Sequence, residues 1–241
     1  MKINSSKPIE KANLQTIVSK LSNYTSASAN EVYVFDMDGT LLDSNHIARQ
    51  ALYNLAEENG FEFSDELVTK IIPLGFDGGT RFYMEHFGLT GTFEEEKRRF
   101  IRSFIDAYKK GPTLKDGVES FLKALRKRGA RLFVLTANIH EIVDPCLKSL
   151  DIYDLFETVW SVDDFGMNKA DVRIYASLAE RIGCKVCEIN FFDDSVIAIE
   201  TAAKAGCSCY GVFDNHSESD TLRLQKSSKR VVRNYNDLLE N

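Results

Sequence analysis

The stretch YVFDMDGTLLDS, residues 33–44, opens as a buried strand with Tyr33, Val34 and Phe35 in a row, then places Asp36 and Asp38 two positions apart ahead of Gly39. Two carboxylates near one strand end repel each other, so a cation or a protonated partner must offset them. Upstream, residues 1–30 read as an N-terminal extension: a short helix over Ile9 to Leu21, then the polar linker SNYTSASAN. Downstream, Asn45 to Tyr108 reads as helical almost throughout. Ile47, Ala48, Ala51, Leu52, Leu55 and Ala56 form one apolar stripe, and Phe93 to Tyr108 forms another, opened by a Thr92/Glu95 capping box. Gly111 and Pro112 stop it.

Beyond that stop, helices alternate with short apolar strands, the pattern of a parallel sheet covered on both faces. Helices over 117–128, 140–149, 170–182 and 196–205 alternate with the strands RLFVLT, TVWSV, EINFF and CYGVF, and a last short strand falls at Arg230 to Val232. The predicted class is α/β, a Rossmann-like core of residues 31–43 and 112–241 with an inserted helical cap over 44–111.

The chain has 241 residues, 44% hydrophobic and 27% charged, with a formal net charge of -6. That balance suits a globular protein with a sizeable core, and the acidic sum argues against binding nucleic acid or an anionic membrane. No apolar run approaches the roughly 20 residues of a membrane span, and no signal core opens the chain. A cytoplasmic location is expected, in keeping with five cysteines placed inside elements. Cys184 and Cys187 against Cys207 and Cys209 make a poor zinc spacing, and core packing is the expected role.

Ligands of an open parallel sheet bind outside the carboxyl ends of its strands. There the sequence places Asp36 and Asp38, then Thr136, Ala137 and Asn138, then Asp193 and Asp194, with Lys169 on a loop entering a helix. Oxygen ligands without histidine or cysteine point to Mg2+. A lysine, a hydroxyl and turn amides beside such an ion suit a phosphoryl group, so phosphoryl transfer is the expected chemistry. Each residue alone has a plainer reading: strand-end capping acids, a hydroxyl cap, a solvated lysine. Their convergence on one edge favours the functional one.

The motifs DMDGT, VLTAN, Lys169 entering a helix, and FFDDS followed by AAKAG resemble, in order, the four motifs of the haloacid dehalogenase-like hydrolase superfamily, over residues 33 to about 213. Within it the chain is similar to the phosphoglycolate phosphatase and beta-phosphoglucomutase branch. The resemblance implies that Asp36 is the nucleophile and Asp38 the general acid and base. It implies further that Thr136, Ala137, Asn138 and Lys169 bind the phosphoryl group, and that Asp36, the Asp38 carbonyl, Asp193 and Asp194 hold Mg2+. The amide of Met37 would join those of Ala137 and Asn138 as a donor. Ala170 and Asp171 depart from the proline that relatives often carry after the lysine.

The expected reaction is hydrolysis of a small phosphomonoester by way of an aspartyl phosphate. A sugar phosphomutase is the alternative, and a phosphorylation-driven receiver is the alternative from another class. A dehalogenase would leave Asp38 and a cation site without a task. PLGFDGGTRF reads as a cap loop in which Arg81 is a candidate for a substrate anion and the glycines allow close backbone approach. Arg49 reads as a solvated helix position, His46 as a hinge residue, and Asp163 and Asp164 as an acidic loop. Lys169 and Thr136 are expected to face the phosphoryl group rather than the core.

Overall fold

The computed structural model describes residues 31–214 and 218–239; the helix and linker expected before residue 31 lie outside them. Six strands form one sheet in the order β5-β4-β1-β6-β7-β8, every neighbouring pair parallel. They are β1 (Val32–Phe35), β4 (Arg131–Thr136), β5 (Thr158–Ser161), β6 (Ile189–Asp193), β7 (Ser208–Val212) and β8 (Arg230–Val232). The chain runs outward from β1 through β4 to β5, then returns to the other side of β1 for β6. The order therefore reverses around β1, and in open parallel sheets ligands bind beyond the strand ends at such a reversal.

The period of two along β1 explains the two layers. Val32 and Val34 point into one core, with Phe133, Leu135, Ile189 and Phe191 and the helices α7 (Arg173–Ile182), α8 (Val196–Ala205) and α9 (Glu218–Ser227). Phe35 points into the other, with Val134, Phe192 and the helices α5 (Val118–Lys127) and α6 (His140–Ser149). Strands buried on both faces read as continuous apolar runs, which is why YVF and LFVL carry no alternation. Helix α7 begins at Arg173 rather than at 170. Asn168 Oδ1 accepts from the Ala170 amide at 3.0 Å and Asp171 Oδ1 from the Arg173 amide at 3.0 Å, which turns the chain before the helix starts.

Between β1 and β4 lie four helices: α1 (Asn45–Glu58), α2 (Asp65–Ile71), α3 (Gly75–Phe87) and α4 (Phe93–Tyr108). The expected capping box opens α4: the Glu95 amide donates to Thr92 Oγ1 at 3.3 Å and the Thr92 amide to Glu95 Oε2 at 3.1 Å. Aromatic rings hold the group together, with Phe100 centred 5.2 Å from Phe104 and 6.0 Å from Tyr83. The two connecting chains pair with each other as β2 (Leu42–Asp43) and β3 (Thr113–Leu114), a two-stranded antiparallel ribbon too short to leave a period in the sequence.

PLGFDGGTRF is not a loop. Most of it is the first half of α3, entered through Gly75 at φ +67°, and Gly79 lies flat against Phe100 and Ile71, where an added Cβ would come 3.1 Å from the Phe100 ring. At Gly79 the missing side chain thus serves helix packing. Arg81 is exposed on that helix, its guanidinium 4.2 Å from the centre of the Phe93 ring. Of the four paired cysteines Cys209 is buried and Cys184 and Cys207 are partly buried, but Cys187 is exposed and so does not serve core packing; among the described residues no three cysteines come close enough to share an ion. No described helix is long and apolar enough to cross a membrane.

Candidate active site

Asp36 follows β1 directly, and its amide continues the sheet by donating to the Phe192 carbonyl at 2.9 Å. Asp193 ends β6 alongside, and Asp194 is the next residue. Oxygens of Asp36, Asp193 and Asp194 lie within 4.8 Å of one another. Lys169 reaches in from the loop before α7, its Nζ 2.7 Å from Asp36 Oδ1 and 2.7 Å from Asp193 Oδ2. Its fourfold stem is enclosed: the side chain is 11% exposed. Burial pulls the Lys169 ammonium down, but Asp193 and Asp36 outweigh it and hold it charged.

One ammonium does not balance these acids. Burial, more than the neighbouring charges, pushes Asp193 up to about 7, with Lys169 opposing and Asp36 adding to the shift. Asp194 is raised well above the carboxylate range by burial, then by Asp193 and Asp36. Uncompensated negative charge on hard oxygen ligands is the chemistry a divalent cation satisfies, so the donor set fits one.

Asp38 has a different neighbourhood. Ser44 Oγ donates to its Oδ1 at 2.6 Å, the Tyr108 hydroxyl to the same oxygen at 2.5 Å, and Asn138 Nδ2 to Oδ2 at 3.1 Å. Burial first and Asp36 second raise its pKa, and these three donors pull against them. All three are neutral, with Tyr108 kept in its hydroxyl form by burial and by Asp38. Asp38 thus accepts from three neutral donors, whereas Asp36 is paired with the Lys169 ammonium.

The turn that separates the two acids is tight. The amides of Thr40, Leu41 and Leu42 all point back to the Met37 carbonyl, and Gly39 takes φ +73°. Any Cβ at Gly39 would overlap the side chains of Asn45 and Asp194. Thr40 then bonds Asp194 twice: its Oγ1 accepts from the Asp194 amide at 3.0 Å and donates to Oδ1 at 3.2 Å.

Thr136 and Asn138 are buried at the end of β4, Ala137 exposed between them. The Asn138 amide, expected as a phosphoryl donor, is given to Thr136 Oγ1 at 3.1 Å, and Asn138 contributes its side chain to Asp38 instead. Thr136 is 1% exposed, and Lys169, its side chain 11% exposed, sits between the carboxylates of Asp36 and Asp193, so both are enclosed at the strand edge. Asp163 and Asp164 are exposed, on the single helical turn Val162–Phe165, where Asp164 Oδ2 accepts from the Ser161 amide at 3.0 Å and meets His140 Nε2 at 2.9 Å. Asp38, Thr136, Asn138 and Lys169 are thus drawn to one strand edge with the metal-fitting acids, whereas Arg81 stays with the helices between β1 and β4.

Sequence reading missed Thr40, Ser44, Asn45 and Tyr108. Tyr108 closes an apolar stripe and reads as core; only its hydroxyl at the very end of α4, next to the return chain, hinted otherwise. The other three lie within seven residues of Asp38, on a turn whose exit direction no period specifies.

The family model described as haloacid dehalogenase-like hydrolase matches residues 33–212. The phosphorylated carbohydrates phosphatase of Thermotoga maritima is 28% identical over 199 residues, covering 80% of this chain and 89% of that protein. Escherichia coli phosphoglycolate phosphatase is 29% identical over 150 residues, covering 60% of this chain and 59% of its own. The crystal structure of CbbY from Rhodobacter sphaeroides in complex with phosphate shares the fold, with a TM-score of 0.72 at 19% identity over 86% of this chain and 96% of that one. The chain belongs to the haloacid dehalogenase-like hydrolase family, in the company of relatives that are phosphatases.

Proposed function

We propose that the protein is a Mg2+-dependent phosphatase of a small phosphomonoester and that Asp36 carries the phosphoryl group between two steps. In the first, an Asp36 carboxylate oxygen bonds to phosphorus as the bond to the leaving oxygen breaks, and Asp38 gives that oxygen its proton. In the second, water attacks phosphorus, Asp38 takes a proton back, and the Asp36–phosphorus bond breaks to release inorganic phosphate. The observation that carries this reading is the unlike setting of the two acids: Asp36 against the Lys169 ammonium, Asp38 against three neutral donors.

Asp36, Asp193, Asp194 and the Asp38 carbonyl would hold Mg2+, which supplies charge neutralisation for the incoming phosphoryl group. Lys169, held in place by Asp193, would neutralise charge on the phosphoryl oxygens as well. Thr136 accepts from the Asn138 amide, which leaves its own hydroxyl hydrogen to donate. The helices between β1 and β4 act as a cap over this edge, restricting water and choosing the leaving group. Among the described residues, PLGFDGGTRF lies mostly in helix α3, and its one cation, Arg81, is stacked on Phe93, which favours water over a second sugar phosphate as acceptor.

A panel of phosphorylated metabolites tests the proposal, run with and without Mg2+ against wild type and Asp36→Asn. Inorganic phosphate should be released by the wild type with Mg2+, with the substitution lowering turnover about 10^3-fold or more. Wild-type turnover in Asp36→Asn sinks the covalent route. Glucose 6-phosphate formed from beta-glucose 1-phosphate and a trace of bisphosphate, faster than free phosphate, replaces the hydrolase with a mutase.

A further inference from the structure

Asp194 is met by residues of the chain that enters the helical insert, and through Asp214 these reach the chain that returns from it. Asn45, the first residue of α1, donates from Nδ2 to Asp194 Oδ2 at 3.1 Å. The same amide nitrogen donates to Asp214 Oδ2, just beyond β7. Asp214 Oδ1 in turn lies 3.2 Å from the Nζ of Lys115, which also donates to the Phe213 carbonyl at 3.1 Å. Lys115 follows β3 on the returning connector, tied by its amide to the Leu41 carbonyl at 2.9 Å. Lys115 and Asp214 are enclosed, their side chains 16% and 10% exposed.

The chemistry of a carboxamide suits this position. One NH2 group carries two hydrogens in a fixed plane, so it serves two carboxylates at once without adding charge. Asp194 is thereby oriented from both sides, by Asn45 at Oδ2 and by Thr40 at Oδ1. The negative charge of Asp214 behind the amide is matched by Lys115 rather than left to repel Asp194. The missing side chain at Gly39 makes room for the pair, since a Cβ there would overlap both Asn45 and Asp194.

We infer that Asn45 is a positioning residue of the cation site: it fixes the Asp194 carboxylate for the ion and links that carboxylate, through Asp214 and Lys115, to both connectors of the insert. The inference rests on the proposed Mg2+ site. Outer partners of metal-binding carboxylates typically change affinity rather than chemistry, which gives the test its readout.

Isothermal titration of MgCl2 into the full chain, without substrate, compares wild type with Asn45→Ala and Asp214→Asn. Asn45→Ala should raise the Mg2+ dissociation constant roughly 10-fold or more. Asp214→Asn, which keeps the shape but leaves Lys115 uncompensated, should raise it by a smaller factor. Turnover of Asn45→Ala should then recover as Mg2+ is increased, with KM for the phosphoester unchanged, a rescue that a misfolded protein does not show. Wild-type affinity in both variants overturns the role of Asn45 while leaving the phosphatase reading intact. A wild type that hydrolyses phosphoesters yet takes up no Mg2+ overturns the cation site and this inference together. Should Asn45→Ala fail to fold, wild-type affinity in Asp214→Asn alone refutes the relay.

Discussion

At the carboxyl edge of the sheet, Asp36, Thr136 and Asp193 are 5%, 1% and 0% exposed, and Asp36 and Asp193 share the Lys169 ammonium from another segment. In the helical insert, Asp65, Glu66 and Asp77 are 65%, 76% and 63% exposed at the side chain and pair with Arg49, Lys70 and Lys97 at the surface. Surface pairs of this kind contribute little, about 0–1 kcal/mol each, whereas buried charges must be satisfied or shift their pKa. The insert thus keeps itself together with aromatic rings. Its polar contribution to the site comes from its two ends, where Ser44, Asn45 and Tyr108 meet Asp38 and Asp194.

Lys169→Met should show the largest effect, because it strikes the buried side of the contrast. It leaves Asp36 and Asp193 facing each other without their shared cation, which costs on the order of 3–5 kcal/mol of stability. It also removes charge from the transition state, lowering turnover by about 10^2–10^3. Sequence reasoning expects only the second loss. A variant that melts like wild type in Mg2+-free buffer would mean that Lys169 is not the partner the geometry gives it.

Tyr108→Phe should come next and marks where the insert touches the chemistry. Removing one hydroxyl from Asp38 withdraws a hydrogen bond to a charged group, worth about 1.5–3 kcal/mol. For an alkyl phosphate, whose leaving oxygen needs the proton, kcat/KM should fall roughly 10-fold or more by that measure. p-Nitrophenyl phosphate leaves without protonation and should be affected far less. Equal losses on both esters would reduce Tyr108 to packing.

Arg81→Ala should do least. With the guanidinium stacked on Phe93 at an exposed helix position, its loss should cost about 0.5–1 kcal/mol of stability and leave KM within about twofold. A tenfold rise in KM, read by initial rates, would instead make Arg81 a group that recognises a substrate anion and give the insert a charged role in the site.

The two regions also differ in how much of them the sequence disclosed. Strand ends were legible because apolar runs of four to six residues stop at acids, hydroxyls and glycines, and β4 and β8 fall where RLFVLT and Arg230 to Val232 put them. The order of motifs then gave the sheet edge, and with it Asp36, Asp38, Lys169 and Asp194 as neighbours. Membership of a hydrolase family sets aside the receiver-like alternative that an aspartate cluster with threonine and lysine had left open.

Side-chain partners across the chain were not legible. Asn45 meets Asp194 across 149 positions and Tyr108 meets Asp38 across 70, and no local period encodes such pairs. Helix α3 was hidden by three glycines, whose low propensity the aromatic contacts of the insert override. Helix α9 was missed for the opposite reason: among its ten residues Leu224 alone is buried, so it carries almost no stripe.

In the proposed reaction Asp36 accepts the phosphoryl group and Asp38 moves the protons. Asp38→Asn with p-nitrophenyl phosphate and Mg2+ tests it most directly, because this ester needs no acid to leave while the second step still needs a base. Rapid mixing should show a burst of about one p-nitrophenol per protein followed by a slow rate, with the phosphoryl group found by mass spectrometry on the peptide containing Asp36. Steady release without a burst, and no phosphoryl group on that peptide, would contradict it.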